Sequence, residues 1–117
     1  MKAKIFTFIL LIFIGQIYTQ NFWQQTNGPN GGGILSAAYT SNGDLFCGTT
    51  IPGGIYRSLD NGNNWYKVYS ALPLFGSINA VAADGNNYVY ACSNDYVLKS
   101  TNNGNSWTQI GSFNDPR

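Results

Sequence analysis

The sequence predicts an all-β protein assembled from repeated four-stranded units, and three observations predict it. Trp23, Trp65 and Trp107 are separated by two equal intervals of 42 residues. An eight-residue segment recurs in the same register, Ser58-Leu59-Asp60-Asn61-Gly62-Asn63-Asn64-Trp65 against Ser100-Thr101-Asn102-Asn103-Gly104-Asn105-Ser106-Trp107, with five of the eight positions identical. Between these markers the chain is a series of short runs rich in Ile, Val, Tyr, Phe and Trp, broken by Gly, Asn and Asp. Such runs read as strands joined by turns. Beyond the N-terminus no stretch sustains a 3.6-residue period or carries helix caps.

The first 19 residues stand apart. Met1 to Lys4 is short and positive, Ile5 to Ile14 is almost wholly apolar, and Gly15 to Thr19 is more polar. That order is the n, h and c plan of a secretory signal peptide, with cleavage expected after Thr19. An apolar run of ten residues falls well short of the roughly 20 that span a bilayer. The mature chain from Gln20 is therefore expected to be exported to the exterior or the cell envelope, with no membrane contact after cleavage. An oxidising exterior would allow Cys47 and Cys92 to pair. Each lies in an apolar strand-like run, and the reading favours two buried thiols.

After Phe22-Trp23-Gln24-Gln25, a lone strand expected at about 22–26, the first unit occupies about 33–69 and the second about 76–111. In the first, strands are predicted at Ile34 to Tyr39, Asp44 to Thr49, Ile55 to Ser58 and Trp65 to Tyr69. In the second they are predicted at Ile78 to Ala83, Tyr88 to Ser93, Tyr96 to Ser100 and Trp107 to Gly111. Upstream of the octapeptide the two units align with an offset of 44, so the first carries a loop two residues longer, around Thr50 to Gly54. In that register Cys47 matches Ala91 and Cys92 matches Gly48, neighbouring positions whose side chains point to opposite faces of a strand. The joining turns, Ser41-Asn42-Gly43 and Asp84-Gly85-Asn86-Asn87, are built of residues that tolerate positive φ.

Four antiparallel strands in each unit of about 40 to 45 residues make the blade of a β-propeller. The small apolar first strands, ILSAAY and INAVAA, suit the crowded innermost position, and the Trp-led fourth strands suit the outer edge. Propellers close with typically about four to eight blades, whereas residues 20–117 hold two and an incoming strand. The ring is thus incomplete. The strand at 22–26 is expected to close the last blade, and the remaining blades to come from a longer chain or from self-association.

The octapeptides identify a resemblance. Ser-x-Asp-x-Gly-x-(Ser/Thr)-Trp is the Asp-box, or bacterial neuraminidase repeat; Ser58 to Trp65 departs from it only at Asn64, and Ser100 to Trp107 only at Asn102. The chain from 22 to 113 resembles the Asp-box propellers, which include sialidases, family 74 xyloglucan hydrolases and sortilin-type receptors. The resemblance implies a structural role for Ser58, Asp60, Gly62, Trp65, Ser100, Asn102, Gly104 and Trp107, in turns on the propeller's periphery. There the Asp or Asn side chain accepts hydrogen bonds from turn amides, the Ser bonds the same turn, and the Trp covers it.

Composition narrows the function classes. Of 117 residues only 9% are charged; there is no histidine and no glutamate, and the net charge is +1. Without Lys2 and Lys4, four bases face five acids, a balance that excludes a phosphate-neutralising surface for nucleic acid. A His-based triad is impossible. Sialidases of the resembled family use an arginine triad, a Tyr–Glu pair and an Asp, but this chain has only Arg57 and Arg117. Arg57 and Lys99 stand at one place in the two units and read as a blade-surface feature. All five acids lie in or beside turn signals, as structural Asp residues do, and one carboxylate in Asp60-Asn61-Gly62-Asn63-Asn64 is a poor cation site. No catalytic, cofactor or metal-binding residue is expected. Tyr66, Tyr69 and Phe75 could stack on sugar rings, although packing is the commoner fate of such aromatics. The expected function is a non-catalytic binding or scaffold surface for a protein or glycan; the alternative is the N-terminal part of an exported glycoside hydrolase with its catalytic residues beyond 117.

Overall fold

The computed structural model describes residues 25–30, 32–71 and 76–113. The expected signal peptide and most of the incoming strand lie outside the described residues; Gln25 and Thr26 belong to no strand. Eight strands follow in chain order: β1 Ile34–Tyr39, β2 Leu45–Thr49, β3 Gly54–Ser58, β4 Tyr66–Ser70, β5 Ala80–Ala83, β6 Val89–Cys92, β7 Tyr96–Ser100 and β8 Thr108–Ser112. They form two antiparallel sheets, β1-β2-β3-β4 and β5-β6-β7-β8, with no crossover in either. Each sheet is one blade, and the chain is two adjacent blades of a β-propeller.

Strand ends differ from the sequence expectation by one or two residues, and several of the differences have a visible reason. Ile78 and Asn79 precede β5 because Ile78 N donates to Thr49 O of the first sheet (3.0 Å), so this residue ties the blades together before the strand begins. Trp65 and Trp107 precede their strands because each indole N–H turns back to a glycine carbonyl, Gly62 O at 2.9 Å and Gly104 O at 3.1 Å. Asp44 and Tyr88 belong to the turns, where Asp44 N donates to Thr40 Oγ1 and Tyr88 N to the Asp84 carboxylate.

The core lies between the sheets. Strand pairing places Ala38, Phe46, Ile55 and Tyr69 on the face of the first sheet turned to the second. From the second sheet, Val81, Val89, Ala91, Tyr96 and Leu98 share the opposing face, and together these residues form one buried cluster with Ile78. Close approach is built in at Gly48, where a Cβ would stand 2.6 Å from Ile78 Cγ2. The innermost strands β1 and β5 lie side by side, joined by Ser36, whose Oγ accepts from Val81 N at 3.1 Å.

Two packing expectations are corrected. The first strand is not crowded: Ile34, Leu35 and Tyr39 are 55%, 49% and 63% exposed, because the two blades cover only part of the circumference around the axis. Only one thiol is buried. Cys47 is 1% exposed, on the face of the first sheet away from the second, and burial raises its pKa to about 11 against a smaller opposing effect from the Tyr56 backbone. Cys92 is half-buried on the free face of the second sheet, so both sheets stand between the two sulfurs, and both cysteines are free thiols.

Candidate functional site

The two octapeptides form nearly superimposable turns between the third and fourth strand of each blade. Asn61 and Asn103 both sit at φ 59°, followed by Gly62 at 88° and Gly104 at 83°. This left-handed pair curls the backbone so that its amides converge on the preceding serine: Gly62 N donates to Ser58 Oγ and Gly104 N to Ser100 Oγ, both at 2.8 Å. Asp60 Oδ1 accepts from Asn64 N at 2.8 Å and from Ser58 Oγ at 2.9 Å; Asn102 Oδ1 accepts from Ser106 N and Ser100 Oγ, both at 2.9 Å. An amide oxygen thus performs the carboxylate's structural task. In the first turn the Asn64 amide also donates to Asp60 Oδ2 at 2.7 Å. The side-chain and backbone bonds from Asn64, then that from Ser58, hold the Asp60 carboxyl below the usual carboxylate range. Both carboxylate oxygens are therefore already engaged.

The second turn is also the seam between blades. Arg57, in β3 of the first blade, donates through Nη1 to Asn103 O at 2.7 Å and to Asn105 Oδ1 at 2.9 Å. Asn103 Nδ2 donates to Asp44 Oδ2 at 2.5 Å. Beneath them Phe46 lies against Gly104, where a Cβ would stand 2.6 Å from its ring. Trp107 meets Phe46 edge-on at 6.5 Å and Tyr69 at 6.3 Å. Burial, reinforced by a hydrogen bond with Tyr96 of the other blade, pushes the Tyr69 hydroxyl up to about 12. Arg57 is thus a half-buried inter-blade clamp, not the surface feature expected of it. Its shared position with Lys99 was the available signal; which neighbour it reaches depends on the placement of the blades. Ser41 and Asn87 join the blades similarly, at the first turn of each: Asn87 Oδ1 accepts from Ser41 N at 2.9 Å.

Besides the exposed Tyr66 of β4, Ile110 of β8 and Phe113, two apolar surfaces stand open among the described residues. One is β1, with its exposed Ile34, Leu35 and Tyr39. The other is the face of the second sheet turned away from the first, where Ala80 and Ala82 of β5, Tyr90 and Cys92 of β6 and Val97 of β7 line a shallow apolar cleft of about 120 Å³. At its rim Lys99 Nζ lies 4.8 Å over the Tyr88 ring and 5.5 Å over the Tyr90 ring. Tyr90 also donates to Asp84 Oδ2 at 3.3 Å. Partial burial works against ionisation of Asp84, but the amides of Tyr88 and Asn86, this hydroxyl and the Lys99 charge outweigh it and hold the carboxyl below its usual range.

The described acids Asp44, Asp60, Asp84 and Asp95 occupy four separate turns, and no three potential metal ligands come together among the described residues. Asp115 and Arg117 lie outside them. What the open surfaces present is apolar and aromatic area with one cation, the chemistry of non-covalent binding.

No protein-family model matches the chain, and no curated protein matches it significantly. Among solved structures it is similar to one described as YCF48 bound to D1 peptide, at 22% sequence identity and a TM-score of 0.67, with 84% of this chain and 32% of that chain covered. That neighbour is a β-propeller, and at such identity the likeness concerns the fold alone. The chain spans about a third of the length of the neighbour it matches.

Proposed function

We propose that these blades are part of an exported, non-catalytic Asp-box β-propeller that binds a protein partner along its inner strands. The observation that carries the reading is the exposed apolar row Ile34, Leu35 and Tyr39 on β1, the edge strand of its sheet. An edge strand offers backbone donors and acceptors to an extended peptide while its side chains supply specificity. The peptide bound to the structural neighbour supports a polypeptide over a glycan.

The test is to probe an unbiased peptide array with the purified chain and to titrate its best ligand into wild type and Leu35→Asp. Binding should weaken at least about tenfold, the equivalent of 1.4 kcal/mol. Thermal stability should be unchanged, because Leu35 is already half exposed. Equal affinity of the variant would remove the inner strands from the reading. Turnover of fluorogenic sialosides or xyloglucan oligosaccharides would overturn its non-catalytic part. Export is checked by N-terminal sequencing of the protein recovered outside the cytoplasm, with Gln20 expected as the first residue.

A further inference from the structure

The seam between the blades is a contact of one blade's turn with the next position's sheet face, and the chain repeats the turn closely and the receiving face in part, since Asp44, Gly48 and Tyr69 of the seam map onto Tyr88, Cys92 and Gly111. In the observed contact the turn supplies Asn103, Gly104, Asn105 and Trp107, and the receiving face supplies Arg57 and Phe46. The repeat offsets map the turn residues onto Asn61, Gly62, Asn63 and Trp65, with matching backbone angles at Asn61 and Gly62. They map Arg57 onto Lys99 and Phe46 onto Tyr90, on the free face of the second sheet. Asn61 and Asn63 are exposed, and no described residue bonds the Asn61 carbonyl or Asn63 Oδ1, the counterparts of the two acceptors that Arg57 uses. Lys99 is a donor held over two rings at the matching place.

We propose that the free face of the second sheet seats the first octapeptide turn of a second copy of this chain, joining copies head to tail. Lys99 donates to Asn61 O and Asn63 Oδ1 of the incoming turn, and Gly62 packs against the Tyr90 ring, as Gly104 does against Phe46. The contact is heterologous, so successive copies close into a ring of blades where the rotation allows and otherwise continue as a filament. Lys99 and Asn63, through which this contact is tested, lie outside β1, so its failure is distinguishable from failure of partner binding on β1, which Leu35→Asp tests.

The experiment is sedimentation equilibrium of the purified chain, wild type and variant, up to about 100 µM, where even a micromolar contact is populated. Wild type should show integral multiples of the chain mass. Lys99→Glu, which sets a carboxylate against two oxygens, and Asn63→Lys, which sets a cation against Lys99, should each weaken assembly at least about tenfold. An equimolar mixture of the two variants should associate again, because the intact turn of the Lys99→Glu chain meets the intact face of the Asn63→Lys chain. Regain in the mixture also shows that both variants are folded. A single-chain mass for wild type at that concentration would leave the face to another occupant and overturn the proposal. So would assembly indifferent to both substitutions, or a mixture that fails to associate.

Discussion

At the scale of single residues, the octapeptide turns separate what glycine does from what a carboxylate does. Gly104 combines a φ of 83° with a Cβ position 2.6 Å from Phe46, whereas a Cβ on Gly85 would meet nothing within 4 Å. Gly104→Ala should therefore cost about 2 kcal/mol or more, through left-handed strain plus displacement of the ring. Gly85→Ala should be near neutral; equal urea midpoints for the two variants would contradict this account. Asp60 and Asn102 make a second comparison. Hydrogen bonds to the ionised form depress the folded pKa of Asp60, so below the unfolded pKa the unfolded chain binds more protons. The contribution of that carboxylate is present above the usual carboxylate range and is lost as pH falls through the depressed value. The Asn102 turn has no such proton. Amide exchange should show Asn64 N losing protection on acidification while Ser106 N keeps it, and Asp60→Asn should abolish the difference. The Ser, Gly and Trp roles are legible in the sequence because the bonds are local, two to four residues apart.

At the scale of elements, the informative pair is strand β3 and the second turn. Arg57 makes two charge-assisted bonds across the seam from a half-buried position, and its Nε and the Asn103 Oδ1 are buried without a protein partner. Arg57→Ala should destabilise the chain by about 1–3 kcal/mol, and Arg57→Lys by less, since an ammonium still reaches one acceptor but not the forked pair. Urea denaturation measures both, and an unchanged midpoint for the alanine variant would show that the clamp contributes nothing. Strand order within each sheet could be read from the chain, because short turns force sequential antiparallel neighbours. The face that each strand buries could not. Alternation distinguishes Phe46 from Cys47 as opposite in direction, but both are apolar, and nothing in the run LFCGT marks which side meets the next blade.

At the scale of the molecule, the two sheets share one core, to which Phe46 and Ile55 come from one blade and Val89 and Leu98 from the other. The hydrophobic cluster among the described residues takes its members from both sheets, and repeat units of this kind depend on their neighbours. Phe46→Ala should cost about 3–5 kcal/mol, a large share of a typical domain's net stability of about 5–15 kcal/mol. The consequence specific to this architecture is that amide protection should fall together in β2 and in β7. Loss confined to the first sheet would mean that the blades fold independently.

The period of 42, the strand number, the turn chemistry and the all-β class are determined by the sequence itself, because each rests on residues that act within a few positions of one another. The tertiary structure alone decided the rest. It showed Arg57 to be a clamp and not a surface cation, it left β1 exposed where crowding was expected, and it placed Cys92 half-buried on an open face. These depend on how one twisted sheet lies against the next, a relation between residues more than 40 positions apart. Side-chain packing sets that relation, and no local propensity encodes it.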